Sequence, residues 1–129
     1  HGNMQSKDVV RALAALAQDS RLAIYRLLVQ QGPTGVAAGE IAATLGLAPA
    51  TLSFHLKELS NAGLVKSVQQ SRYVFYSADF EAMNRLLAYL TENCCAADCG
   101  PCSPAQACKP DHASGTGRKA ARPSRGVKA

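Results

Sequence analysis

No apolar run in these 129 residues approaches the ~20 needed to span a membrane, and no stretch has the layout of a signal peptide. The expectation is a chain with no membrane partner, working in the cytoplasm. Paired carboxylates, a nucleophile–base constellation and a glycine-rich phosphate loop are also missing, which argues against an enzyme. Basic charge is lacking from most of the chain. Residues 4–108 hold eight Lys/Arg and eight Asp/Glu, so none of the net +5 arises there. The excess belongs to the last 21 residues, where Lys109, Arg118, Lys119, Arg122, Arg125 and Lys128 oppose only Asp111. Net charge therefore makes no case for a nucleic-acid partner in the folded part. Large apolar side chains are nearly absent from residues 94–129, too few to offset the entropy of ordering, and residues 109–129 are expected to be a disordered basic tail. Cysteine, finally, is absent from the first 93 residues.

What is present fits one small domain, residues 4–93, with a modest core that a homodimer would enlarge. His1-Gly2-Asn3, ahead of Met4, reads as an expression scar. No internal repeat is visible. Val9, Val10, Leu13, Leu16 and Ala17 recur at helical spacing and predict a first helix over about 7–18, buried along that stripe. Asp19-Ser20 predicts the cap of a second helix running to about Gln31, with Leu22, Tyr25, Leu27, Leu28 and Val29 as core and Gly32-Pro33 as its stop.

A short helix over 38–45 turns Ile41, Ala42 and Leu45 inward, and Gly46-Leu47-Ala48 breaks it. A fourth helix starts at Pro49 or Ala50, where the missing proline N–H costs nothing, and runs to Asn61. Short helix, tight glycine turn, second helix is the helix-turn-helix layout. The β-rich runs 64–68 and 73–76, separated by Gln69-Gln70-Ser71-Arg72, predict a two-stranded wing. A last helix over about 79–93 carries Phe80, Met83, Leu86, Leu87 and Leu90 along a stripe that needs a partner. The fold class is mainly α with a small β-hairpin: a winged helix-turn-helix over roughly 36–78, with a last stripe that a homodimer would cover.

On a helical wheel centred on Leu52, Leu56 falls about 40° and Leu59 about 20° away, so these three mark the buried face of the fourth helix. Ala50, Phe54, Lys57 and Asn61 then lie opposite, with Thr51 and Ser53 at the edges. Hydroxyls and a lysine suit phosphates and base edges, and an exposed Phe54 suits a thymine methyl in the major groove of double-stranded DNA. The competing reading packs Phe54 on a neighbouring helix. His55, about 60° from the core centre, is expected to be a flank residue hydrogen-bonded to the scaffold or to a phosphate; the alternative makes it a ligand. On the wing, Arg72 and Lys66, joined by Gln69 and Gln70, are candidate phosphate contacts; the alternative is a solvated hairpin tip.

The stretch from Gly39 to Val65 resembles the arsenic-responsive (ArsR/SmtB) repressor family, most specifically in Thr51-Leu52-Ser53-Phe54-His55-Leu56-Lys57 followed by Ala62-Gly63-Leu64-Val65. Asp19-Ser20-Arg21-Leu22 and the hairpin ending Arg72 to Tyr76 resemble it as well, and the likeness covers about residues 7–93. It implies a homodimer joined by the first and last helices, which binds an operator and releases it when a soft metal or metalloid binds. The chain departs from the family in three places. Val36-Ala37-Ala38-Gly39-Glu40 has no cysteine where the best-known arsenic site has two, residues 79–93 have no histidine for the family's zinc site, and the hairpin tip lacks the usual glycine.

All five cysteines, Cys94, Cys95, Cys99, Cys102 and Cys108, fall in the segment 94–108, read here as the sensing segment. Such crowding in a cytosolic chain favours metal or redox chemistry over structural disulfides. A trivalent arsenic or antimony centre takes three soft thiolates. Cys94-Cys95 supplies a vicinal pair, Cys99 or Cys102 a third ligand, and Cys108 reads as spare. The arrangement looks like that of arsenic-responsive repressors whose site follows the last helix. Three other readings stay open: dithiol–disulfide sensing by Cys99-Gly-Pro-Cys102, which has the thioredoxin tetrad but no βαβ unit around it; zinc or cadmium held by four of the five; and incidental thiols. A metal-buffering protein is the rival class, separable by its having no operator preference.

Overall fold

The computed structural model describes residues 4–96. Its elements run α1 (Ser6–Leu16), α2 (Asp19–Gln31), β1 (Val36–Ala37), α3 (Ala38–Leu45), α4 (Pro49–Asn61), β2 (Val65–Gln70), β3 (Tyr73–Ala78) and α5 (Phe80–Leu90). The chain divides into a body of residues 1–89 and a C-terminal unit of residues 90–129, of which 90–96 are described. The expected scar, the basic tail, Cys99, Cys102 and Cys108 lie outside the described residues.

The helix-turn-helix and wing are present as the periodicity predicts, with a third strand that sequence reasoning missed. β1 pairs antiparallel with β3, which pairs antiparallel with β2. Two residues are too few for an alternation pattern to register. What makes room for β1 is Gly35, at φ +88°, because a Cβ there would stand 3.0 Å from the Tyr76 carbonyl oxygen. The wing turn is also tighter than expected. Gln70 pairs with Tyr73, leaving only Ser71 and Arg72 in the loop, and Ser71 takes the left-handed conformation that the missing glycine would have filled.

Ile24, Leu28, Ile41, Leu59 and Leu64 are fully buried at the centre of the body. Each such side chain contributes about 1.5–3 kcal/mol. Around them pack Val9, Ala12 and Ala15 of α1, Leu52 and Leu56 of α4, Val65 and Ala78 of the sheet, and Leu86 of α5. The cap of α2 differs from the expectation: Gln18, not Asp19-Ser20, accepts the Arg21 backbone N–H through its side chain. Asp79 donates its N–H to the Leu64 carbonyl and accepts the Ala82 N–H at 3.0 Å, closing the base of the wing and capping α5 at once.

The predicted stripes of α1 and α2 are corrected in part. Val9 and Tyr25 are buried, but Val10, Leu13 and Leu22 are exposed. The inward face of α1 is completed instead by Ala12 and Ala15, small residues that let helices approach closely but weigh little in a hydrophobic pattern. On α5, Ala82 and Leu86 are buried while Leu87 and Leu90 are 52% exposed, so the expected stripe does leave apolar surface uncovered.

Candidate nucleic-acid interface

The turn between α3 and α4 sets the outward face of α4. Gly46 ends α3 in the left-handed conformation, and the Leu47 N–H reaches back to the Ala42 carbonyl at 3.0 Å. Ala48 is extended and Pro49 opens the next helix, so α4 begins without an unsatisfied N–H at its first position. At its far end Gly63, at φ +81°, lets Leu64 donate to the Leu59 carbonyl, and the chain enters β2.

With Leu52, Leu56 and Leu59 buried as the wheel predicts, Ala50, Thr51, Ser53, Phe54 and Lys57 are all exposed. Phe54 is 56% exposed, so the reading that packs it on a neighbouring helix does not hold. Its ring and the His55 ring meet in a T-shaped contact, centroids 5.6 Å apart at 60°.

His55 is the correction in this set. It is 7% exposed and faces Arg21, whose Nη1 lies 3.3 Å from its Nδ1. Of the two partners expected for it, the scaffold is the one found, and it belongs to the buried side of α4 rather than to the reading surface. Arg21 is the residue that sequence reasoning missed: its Nε also donates to the Ala15 carbonyl at 2.6 Å. The signal was the position of His55 on the wheel beside Leu59, which left a buried imidazole in need of a partner.

The wing places Arg72 at its tip, exposed, with Gln69 and Gln70 beside it. Lys66 is exposed too but sits opposite Ser77 near the base of the hairpin, about 13 Å of strand from Gln70. There it lines an open hollow with Asp79 and Glu81, so the structure does not bring Lys66 and Arg72 together.

In the C-terminal unit, Cys94 donates its N–H to the Thr91 carbonyl and Ala96 to the Asn93 carbonyl, with Asn93 and Cys95 both at positive φ. These turns hold the half-buried thiols of Cys94 and Cys95 with their Sγ atoms 3.6 Å apart. Two thiolates on one tetrahedral ion at ~2.3 Å each stand ~3.8 Å apart. A disulfide between neighbours is poorly suited, because consecutive Cα atoms lie ~3.8 Å apart, below the usual ~4.4–6.8 Å. Among the described residues no group of three or more His, Cys, Asp or Glu is gathered to hold a metal, so this pair is two ligands of a larger set or none.

A helix-turn-helix with an exposed polar second helix and a three-stranded wing defines a winged-helix DNA-binding domain. A family model described as a helix-turn-helix domain matches residues 16–68. The HTH-type transcriptional regulator YgaV of Escherichia coli is 32% identical over 83 residues, 64% of this chain and 82% of that protein. The cadmium resistance transcriptional regulatory protein CadC homolog of Staphylococcus aureus is 32% identical over 80 residues, 62% of this chain and 64% of that protein. Among solved structures, a homodimeric winged helix-turn-helix DNA-binding domain from Mycobacterium bovis, a possible ArsR-family regulator, superposes with TM-score 0.56 at 33% identity, over 65% of this chain and 75% of that one. The chain belongs to the ArsR family of DNA-binding transcriptional regulators. No helix among the described residues is long and apolar enough to cross a membrane.

Proposed function

We propose that the protein is a homodimeric repressor that releases its operator when trivalent arsenic, or antimony, binds Cys94, Cys95 and a third thiolate from Cys99 or Cys102. The observation that carries this reading is the 3.6 Å separation of the Cys94 and Cys95 sulfurs, suited to one shared thiophilic atom and ill suited to a mutual disulfide. The exchange balances without a co-reactant: arsenous acid and three thiols give the tris-thiolate and three waters. Dimerisation is supported by apolar side chains left exposed on α1 (Val10, Leu13) and α5 (Leu87, Leu90), and the Mycobacterium relative is described as homodimeric. In a dimer the exposed face of α4, with Ala50, Thr51, Ser53, Phe54 and Lys57, reads the major groove, and Arg72 on the wing meets phosphate. Half-sites then lie ~34 Å apart.

Cys94 follows the last residue of α5 by four positions. Ordering the thiol segment around an ion therefore acts on a helix assigned to the dimer contact, and a coupling of ~1–3 kcal/mol weakens DNA binding several-fold to a hundredfold. A mobility-shift titration of the DNA complex with arsenite tests the proposal. Release should follow arsenite in the native chain and be lost in Cys94→Ser/Cys95→Ser; normal release by that variant overturns the site.

A second reading, zinc or cadmium held by four thiolates, draws support from the relative named for cadmium resistance. The proton balance separates the two. Thiols binding a divalent metal ion release protons, so apparent affinity climbs with pH, whereas thiols exchanging onto arsenous acid yield water and leave affinity nearly flat below the thiol pKa.

A further inference from the structure

We infer that Arg21 is a positioning residue for DNA reading, its guanidinium tying α4 to the end of α1 through His55. The inference rests on the proposal that the outer face of α4 meets the major groove. Ala15 lies in the last turn of α1, where a carbonyl has no donor within its own helix. Arg21, in the first turn of α2, satisfies that carbonyl through Nε at 2.6 Å and holds the His55 Nδ1 from Nη1 at 3.3 Å. A guanidinium has no acceptor, so in this contact Nδ1 is the accepting atom. One planar cation thus fixes three helices at a point where His55 is 7% exposed.

The consequence for DNA lies one residue away. Phe54 stands out from the reading face and packs in a T-shaped contact on the His55 ring, so the imidazole that Arg21 holds also sets the orientation of the exposed aromatic. A lysine supplies the same charge without the fork that reaches two acceptors in fixed geometry. α1 also presents Val10 and Leu13, so the tie sets the angle of the reading helix against the surface assigned to the partner subunit.

The test is a fluorescence-anisotropy titration of the full chain against a duplex of about thirty base pairs obtained by in vitro selection, long enough for two half-sites. It is run as a salt series beside thermal unfolding. Losing one charge-assisted hydrogen bond is worth about tenfold in an equilibrium constant, so Arg21→Lys and His55→Leu should each weaken binding about tenfold while the salt slope stays unchanged. The double variant should be no weaker than the singles. His55→Asn, whose Oδ1 takes the place of Nδ1, should restore most of the affinity, which also covers the case in which His55→Leu fails to fold.

Wild-type affinity in Arg21→Lys, together with a salt slope lowered by about one in Arg21→Met, makes Arg21 a phosphate contact and overturns the inference. Lower Tm with undiminished DNA binding makes it a stability bond only, and overturns it equally. Phe54→Ala and Lys57→Ala retaining full affinity removes the groove reading itself, an outcome visible separately from anything the Arg21 variants do.

Discussion

α1 and α4 both carry apolar side chains on the face turned away from the core, but in different company. α1 shows Val10 and Leu13, one turn apart and 62% and 42% exposed. α4 shows Phe54 as its one large apolar side chain, among Ala50, Thr51, Ser53 and Lys57. Adjacent aliphatics with nothing to hydrogen-bond match another apolar surface, while one aromatic among hydroxyls and a cation matches a groove lined by methyls, base edges and phosphates. Exposure alone does not distinguish the two; the neighbours do. The sharpest way to break the contrast is to charge the first face. Val10→Asp/Leu13→Asp should leave the circular dichroism spectrum intact, since both side chains are already exposed, yet shift the protein to monomer in sedimentation. A monomer forfeits the second half-site, so DNA affinity should fall by about a hundredfold or more. A variant that stays dimeric shows that α1 is not the dimer face.

The α4 side of the contrast is sharpened by taking away its one large apolar side chain. Phe54→Ala should weaken DNA binding by about 1 kcal/mol. The native chain should lose affinity when thymine in a half-site is replaced by uracil, which lacks only the methyl, and the variant should be indifferent to that replacement. Equal sensitivity in both proteins places Phe54 off the thymine. A smaller and different effect is expected from the wing. Arg72→Ala should weaken binding uniformly across sequences and reduce the salt slope by about one, whereas a base-dependent loss would put the wing tip in contact with base edges.

The parts of the fold legible in the sequence were those with strong punctuation. Gly46 to Pro49 marks the turn and places the start of α4 to within one residue, at Pro49 of the two positions expected, and the three leucines of α4 fix its inward face. Illegible were features that carry no periodic signal of their own. β1 is two residues made possible by a glycine beside the Tyr76 carbonyl. Ala12 and Ala15 form the inward face of α1, so a count of large apolar residues pointed at Val10 and Leu13, which are the outward ones. His55 shows the limit at the site itself. The wheel placed it at the flank of the core but could not supply its partner, because Arg21 lies 34 residues away in sequence and only packing brings them together. The thiol pair was legible as a pair; its 3.6 Å sulfur separation was not.

An interior change provides the opposite control to the two outward faces, since it should alter stability and leave both DNA affinity and association untouched. Tyr25 is buried in α2, and its hydroxyl has no hydrogen-bond partner among the described residues. Burial pushes its phenol above the ordinary pKa of 10.0, and the negative charge of Asp79 pushes in the same direction. The folded state therefore favours the neutral phenol. That contribution is fully present below about pH 10, the unfolded value, and is lost as the pH rises through the higher folded value, because the unfolded chain ionises first. Tyr25→Phe removes an unsatisfied buried hydroxyl at little cost in volume. It should raise stability at pH 7 by about 1 kcal/mol, which for a domain of this size is a Tm increase of about 4 °C. Above pH 10 the advantage should widen, since the variant has no phenol there to titrate on unfolding. A variant less stable than the native chain at pH 7 means that the hydroxyl has a partner, and the oxygen to suspect is the Asp79 carboxylate, which already caps α5.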